Sequence, residues 1–271
     1  LLKKIILKFK FFSSLYCFLK VNFHYLRINQ LKPKNKSVGL INKIFICHHT
    51  PLKNRKIKLK KFVKYIKADI EWVEKFQPNE LKRNYSEIVG LSYMTIDPSQ
   101  KPICQDQYTY FKNAGTRINI SELSLYLKMK YCFESQIKNE YNLIVILEDD
   151  IILNKNINNY LNCCAEEFCF HEENLDCLMI GSSFNLKSKF FKKGKLIHYG
   201  EKQLTRCTHA MMFNLDAAKK IHSKLFPINW PIDFKLNEII IRENLKVAWS
   251  EPGLLQFSNY FPQKSSISKN R

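Results

Sequence analysis

Two hydrophobic rhythms alternate along this chain. Short unbroken apolar runs occur at KIFIC (43–47), LIVIL (143–147) and LDCLMIG (175–181). Runs of that length without polar alternation predict strands covered on both faces. Between them, apolar residues fall three and four apart, the spacing of a helix that buries one side. Arg55 to Ile66 carries Ile57, Phe62, Tyr65 and Ile66 among lysines. Ser121, a good cap, opens a helix with Leu123, Leu127 and Met129 that runs to about Lys138. Ile157, Tyr160, Leu161, Cys164 and Phe168 repeat the pattern, and Asn214 can cap a helix over 215–225. A turn and a further helix fill 228–244, while 70–76, 207–213 and 245–252 read as additional strands. Strands alternating with helices predict an α/β domain with a mostly parallel central sheet flanked by helices.

The same pattern sets boundaries. Residues 1–37 are expected to form a basic amphipathic segment and linker, residues 38–262 the domain, and 263–271 a disordered tail. The longest uncharged stretch near the start, Phe11 to Leu19, is too short for the ~20 apolar residues of a membrane span. Such a segment can lie on an anionic membrane surface or pack on the domain. Residues 77–117, with Pro78, Pro98 and Pro102, and the basic stretch 186–195 read as irregular excursions.

Charge sharpens this division. Net charge is +20, but the first acid is Asp69, so the excess belongs to the N-terminal quarter and the rest is nearly neutral. An anionic membrane, a nucleic acid or a phosphorylated ligand could each answer such a region. The lysines form no recognisable nucleic-acid reading motif, so nucleic acid is not the expected partner. The nine cysteines form no CxxC and no zinc-finger spacing, which suits free thiols in a reducing cytosol. No GxGxxG or GxxxxGK[ST] occurs, so P-loop and typical Rossmann chemistry are excluded.

Glu148, Asp149 and Asp150 are the sharpest chemical feature. Adjacent carboxylates repel, burial worsens the repulsion, and a divalent cation relieves it. Mg²⁺ or Mn²⁺ prefers such oxygen ligands and bridges them to phosphates. If the strand continues, Glu148 and Asp150 share a face at i and i+2. The bland alternative is an exposed acidic turn. His209 stands in an apolar run, where a satisfied core histidine is the simpler reading, and Asp233 precedes a helix, where it could be a plain cap.

With these residues in hand, the chain resembles glycosyltransferase family 25, the lipooligosaccharide-biosynthesis and procollagen galactosyltransferase group. IFICHHTPLKNRK, ISELSLYLKMKY, LIVILEDDIIL, LDCLMIG, THAMMF with LDAAKKI, WPIDFKL and VAWSEPGLLQFS stand in the family's order over roughly 43–258. The resemblance implies a GT-A-like single α/β domain. It also implies metal-assisted, inverting transfer of a hexose, with galactose expected, from a nucleotide sugar such as a UDP-sugar. The acceptor would be a hydroxyl of a glycan or lipopolysaccharide-type, lipid-linked glycan. It implies Glu148, Asp150 and His209 as ligands of Mn²⁺ or Mg²⁺, and Arg55, Glu122, Glu148 and Asp149 as donor-binding. As catalytic base, Asp233 comes first and Glu251 second. A cytoplasmic enzyme, peripheral on the inner face of the membrane, follows from lipid-linked acceptors. The sequence departs from the family at Cys47-His48, Ser124, Met129 and Cys207. Those departures keep open a catalytically inactive sugar-binding homologue, and the basic N-terminal region keeps open a nucleic-acid-binding protein.

Overall fold

The computed structural model describes residues 19, 21, 22, 24–33, 39–83, 118–182, 195–199, 204, 205 and 207–257. The expected 186–194 basic stretch, most of the 77–117 excursion, the 34–37 linker and the tail from 263 lie outside the described residues.

The apolar runs become strands and the periodic segments become helices, with boundaries moved by a few residues. In chain order the elements are β1 (Lys43–Cys47), α1 (Lys53–Val63), β2 (Asp69–Val73), α2 (Pro78–Arg83), α3 (Ile120–Lys138), β3 (Leu143–Glu148), α4 (Ile157–Cys169), β4 (Cys177–Ser182), β5 (Ile197–His198), β6 (Ala210–Asn214), α5 (Leu215–Lys224), α6 (Ile232–Arg242) and β7 (Val247–Leu255). The strands form one sheet in the order β2-β1-β3-β6-β4-β7-β5. β1 pairs in parallel with β2 and β3, and β4 with β7. β6 runs antiparallel between β3 and β4, and β5 antiparallel to β7. Five of the seven strands therefore point one way, which is the α/β layering that the alternation of strands and helices predicts.

Period-two alternation divides the core into two layers. Ile144 and Ile146 of β3 join Tyr126 and Met129 of α3, Ala217 of α5 and Leu236 of α6. Leu143, Val145 and Leu147 face the other way, onto Leu59 of α1 and Tyr160 and Leu161 of α4. Val21, Tyr25 and Ile28 pack into this second layer, and residues 24–29 are helical. Tyr25 donates its hydroxyl proton to the Ile152 carbonyl. Residues 21–28 thus lay one face on the domain, leaving Leu19 and Leu26 exposed. Among the described residues, no helix is long and apolar enough to cross a membrane.

One helix start differs from expectation and another meets it. α3 is capped by Asn119, not Ser121: the Asn119 side chain accepts from the amides of Ser121 and Glu122. Asn214 does cap α5, accepting from the Ala217 amide at 2.7 Å.

Candidate active site

β3 sits centrally, with β1 on one side and β6 on the other, so its C-terminal end opens at a sheet edge where α/β proteins bind ligands. The strand's parity places Glu148 on the α3 and α6 side, after Ile144 and Ile146. Its amide still donates across the sheet, to the His209 carbonyl at 2.8 Å. The chain then turns. Asp149 and Asp150 lie in that turn and not on the strand, so the i, i+2 alternation expected of Glu148 and Asp150 stops at Glu148. The three neighbouring carboxylates consequently meet three different surroundings.

Asp149 belongs to the scaffold. Because β1 and β3 run parallel with Cys47 opposite Glu148, the residues that follow each strand are neighbours. His48 Nδ1 donates to Asp149 Oδ2 at 2.7 Å, the His49 amide donates to the same oxygen at 2.9 Å, and Arg55 Nη1 donates to Oδ1 at 2.7 Å. Burial opposes the Asp149 charge, but His48, the Arg55 guanidinium and the His49 amide outweigh it and hold the carboxyl below its ordinary value.

Asp150 is less well served. Gln256 Nε2 donates to its Oδ2 at 3.0 Å, and Arg55 Nη1 stands 3.7 Å from the same oxygen. Its Oδ1 is buried with no hydrogen-bond partner. Burial raises the Asp150 carboxyl, Arg55 opposes the rise, and the charge of Asp149 adds to it. Glu148 is pushed up to about 8, first by burial and then by the charge of Asp150, with smaller contributions from Asp149 and Asp233. A hydrogen bond from Thr208 Oγ1 to Glu148 Oε1, at 2.9 Å, works against the rise.

Asp233 thus comes near the cluster. It lies in the first turn of α6, whose N-cap position is Pro231, and its Oδ1 accepts the Phe234 amide at 3.0 Å. Its charge reaches Glu148 strongly enough to raise it.

Three other sequence-derived candidates do not join the site as expected. The Glu122 carboxylate accepts the Asn119 amide at 2.9 Å and completes a capping box at the start of α3. His209 lies in a bend before β6, not within the strand. Its Nε2 is 3.1 Å from the Leu254 carbonyl, and its ring is so close to Gly181 that a Cβ there would meet Nε2 at 2.5 Å. That ring is packing, and no trio with Glu148 and Asp150 forms. Among the described residues, no group of three or more His, Cys, Asp and Glu side chains is arranged to hold a metal. Glu251 is buried in β7 with Arg27 Nη1 at 3.8 Å. It borders a separate cavity of about 660 Å³ with Gln30, Glu166 and Tyr199.

Two of the departures from the family pattern have physical content. Cys207 stands at φ 77°, a left-handed conformation in which glycine is at ease. Ser124 donates from Oγ to the Phe76 carbonyl at 2.6 Å.

Residues not anticipated from sequence complete the cleft. Lys128 of α3 is only 3% exposed and donates to the His48 carbonyl at 2.8 Å. With Arg55, Gln256, Glu148, Asp149 and Asp150 it lines a cavity of about 80 Å³. That is room for a few waters or one phosphate-sized group, well below the ~300–1,000 Å³ of a whole-ligand pocket. Ser121, Ser124, Leu125 and Lys128 share this face at helical spacing, which is the one sequence signal that could have revealed it. His48 and Gln256 carried no sequence signal of their own.

No family model matches the chain, and no curated protein matches it. Among solved structures, it is similar to the crystal structure of a glycosyltransferase involved in the glycosylation of the major capsid of PBCV-1. That likeness has 7% identity and a TM-score of 0.40 and covers 84% of this chain and 96% of that one. It is similar to a putative nucleotide-diphospho-sugar transferase from Desulfovibrio desulfuricans G20, with 11% identity, a TM-score of 0.37 and coverage of 77% and 79%. A cytidylyltransferase from Leptospira borgpetersenii serovar Hardjo-bovis has 14% identity, a TM-score of 0.30 and coverage of 85% and 79%.

Proposed function

We propose that this chain is a glycosyltransferase that moves a hexose, galactose first among candidates, from a UDP-sugar to a hydroxyl of a glycan acceptor with inversion. The observation that carries the reading is the cavity at the β3 end, where Glu148, Asp149 and Asp150 meet the cations Arg55 and Lys128. The family resemblance of the ordered motifs supports the same assignment.

The two oxygens best suited to a hard divalent cation are those of Glu148 and of Asp150 Oδ1, the latter buried without a partner. Glu148 and Asp150 would hold Mg²⁺ or Mn²⁺, hard cations that take carboxylate oxygens. Such an ion, when bound, supplies Lewis-acid charge to the leaving diphosphate. The chain's own residues do the rest. Arg55 holds Asp149 and thereby the turn that aims Asp150. Asp233 takes the proton of the acceptor hydroxyl as its oxygen bonds to the sugar's anomeric carbon and the bond from that carbon to the diphosphate breaks.

Incubation of the purified protein with UDP-galactose and Mn²⁺ tests this directly. Slow release of UDP is expected, and Asp233→Asn should reduce transfer by about a hundredfold or more. An absence of both binding and hydrolysis across UDP-, GDP- and CMP-sugars would refute the assignment.

A further inference from the structure

The geometry points to Lys128 as the residue that grips the diphosphate of the donor, a role in which α3 contributes a fixed cation to the leaving group. This rests on the nucleotide-sugar reading above and assigns a ligand atom group to a side chain that no sequence motif marked.

The argument begins with cost. A buried ammonium gives up its hydration and persists only where partners replace it. Lys128 has three N–H donors. Among the described residues its hydrogen bond is to the His48 carbonyl, which also receives Gln77 Nε2 at 3.0 Å. That carbonyl is therefore satisfied without Lys128, and holding it does not explain the lysine.

The other cations of the cleft are committed elsewhere. Arg55 Nη1 donates to Asp149 Oδ1 at 2.7 Å and stands 3.7 Å from Asp150 Oδ2, so this guanidinium is anchored to the turn after β3. His49 is held below its ordinary value, first by burial and then by the charge of Lys128. Lys128 is more deeply buried than Arg55, keeps two N–H donors unused among the described residues, and borders a cavity of phosphate size. It lies on the same face of α3 as Ser121 and Ser124, so the helix presents a polar stripe to the cavity while Tyr126, Met129 and Phe133 fill the core. An anionic oxygen placed there would take up the unused N–H groups as charge-assisted hydrogen bonds.

The test is calorimetric titration of UDP, uridine and inorganic pyrophosphate in EDTA, with wild type, Lys128→Met and Lys128→Arg. Wild type should bind UDP more tightly than uridine. Lys128→Met should weaken UDP and pyrophosphate by about tenfold or more and leave uridine within about twofold, while Lys128→Arg retains part of the UDP affinity. Equal weakening of UDP and uridine, or no weakening, overturns the inference, because a purely structural lysine does not separate the two ligands. Lysine-dependent pyrophosphate binding without any UDP binding would uphold the anion site and sink the nucleotide-sugar reading. Failure of all three ligands to bind wild type in EDTA overturns the inference, and their failure again in millimolar Mn²⁺ sinks the nucleotide-sugar reading as well. Circular dichroism of Lys128→Met verifies its fold, and Lys128→Arg carries the comparison should that variant be unfolded.

Discussion

Lys128 and Lys235 are both about as buried as a lysine becomes, at 3% and 5% exposure, and burial holds both below the ordinary lysine value. Their partners differ. Lys235 on α6 donates to Asn229 Oδ1 at 3.0 Å and to Glu238 Oε2, one turn along its own helix, at 3.4 Å. Lys235 also borders a cavity, of about 330 Å³, but its ammonium has a carboxylate and an amide within the fold. Lys128 has a backbone carbonyl already shared with Gln77, while the nearby carboxylates are held by other groups, with Asp150 Oδ1 left without a partner among the described residues. One lysine completes an internal pair. The other faces a cleft in which charges are left over. Buried charge by itself does not mark a site; the site is where the count of donors and acceptors fails to close within the protein.

The largest effect expected from this contrast lies at Asp149, the carboxylate that makes the cleft foldable. It takes hydrogen bonds from His48, the His49 amide and Arg55. Asp149→Ala leaves a buried guanidinium and imidazole facing a void, and removal of one member of a buried ion pair costs about 3–5 kcal/mol. Urea denaturation checks this. A loss below about 1 kcal/mol would show that the turn after β3 is held by other contacts.

Much of this scaffold was legible in the sequence. LIVIL and KIFIC declared themselves as doubly buried strands; Arg55 and Asp149 were candidates through the family resemblance, and the parallel pairing seen in the structure brings them together. Lys128 was not, because a lysine on a helix reads as a solvated face, and only three-dimensional packing shows that this face is roofed. His209 was misplaced for a different reason: the apolar run CTHAMMF looks continuous, yet the backbone bends at Cys207, with φ 77°, and β6 starts at Ala210. Glu122 had a visible alternative. Asn-x-x-Glu before an apolar stretch is a capping-box signature, and the carboxylate is used that way.

The two lysines can be set against each other directly. Lys235→Met leaves Glu238 buried with only Arg242, 3.0 Å away and largely exposed, to answer it. A loss of about 2 kcal/mol is expected, less than for a wholly abandoned charge. Lys128→Met leaves the His48 carbonyl still bonded to Gln77 and should change the stability of the unliganded protein by less than about 0.5 kcal/mol. Parallel thermal melts read both. Equal losses would erase the distinction between a structural and a ligand-facing lysine.

The effect most informative about the cleft is the one whose size depends on pH. Glu148 is raised to about 8, against an ordinary glutamate value near 4.5. Between those values the folded protein keeps a proton that the unfolded chain has lost, so stability falls as pH rises through that window and levels off above it. Glu148→Gln removes the titration while keeping an acceptor for Thr208 Oγ1. The variant should match wild type near pH 4.5 and exceed it by about 1–2 kcal/mol at pH 9, after allowance for the partial exposure of the carboxylate. Millimolar Mn²⁺ at pH 9 should raise the melting temperature of wild type and not of the variant, because the cation takes the place of the proton. A pH-independent gap between the two proteins would mean that Glu148 is not raised in the fold, by burial or by the charge of Asp150, and the reading of the cleft as a place that disfavours its charge would have to be abandoned.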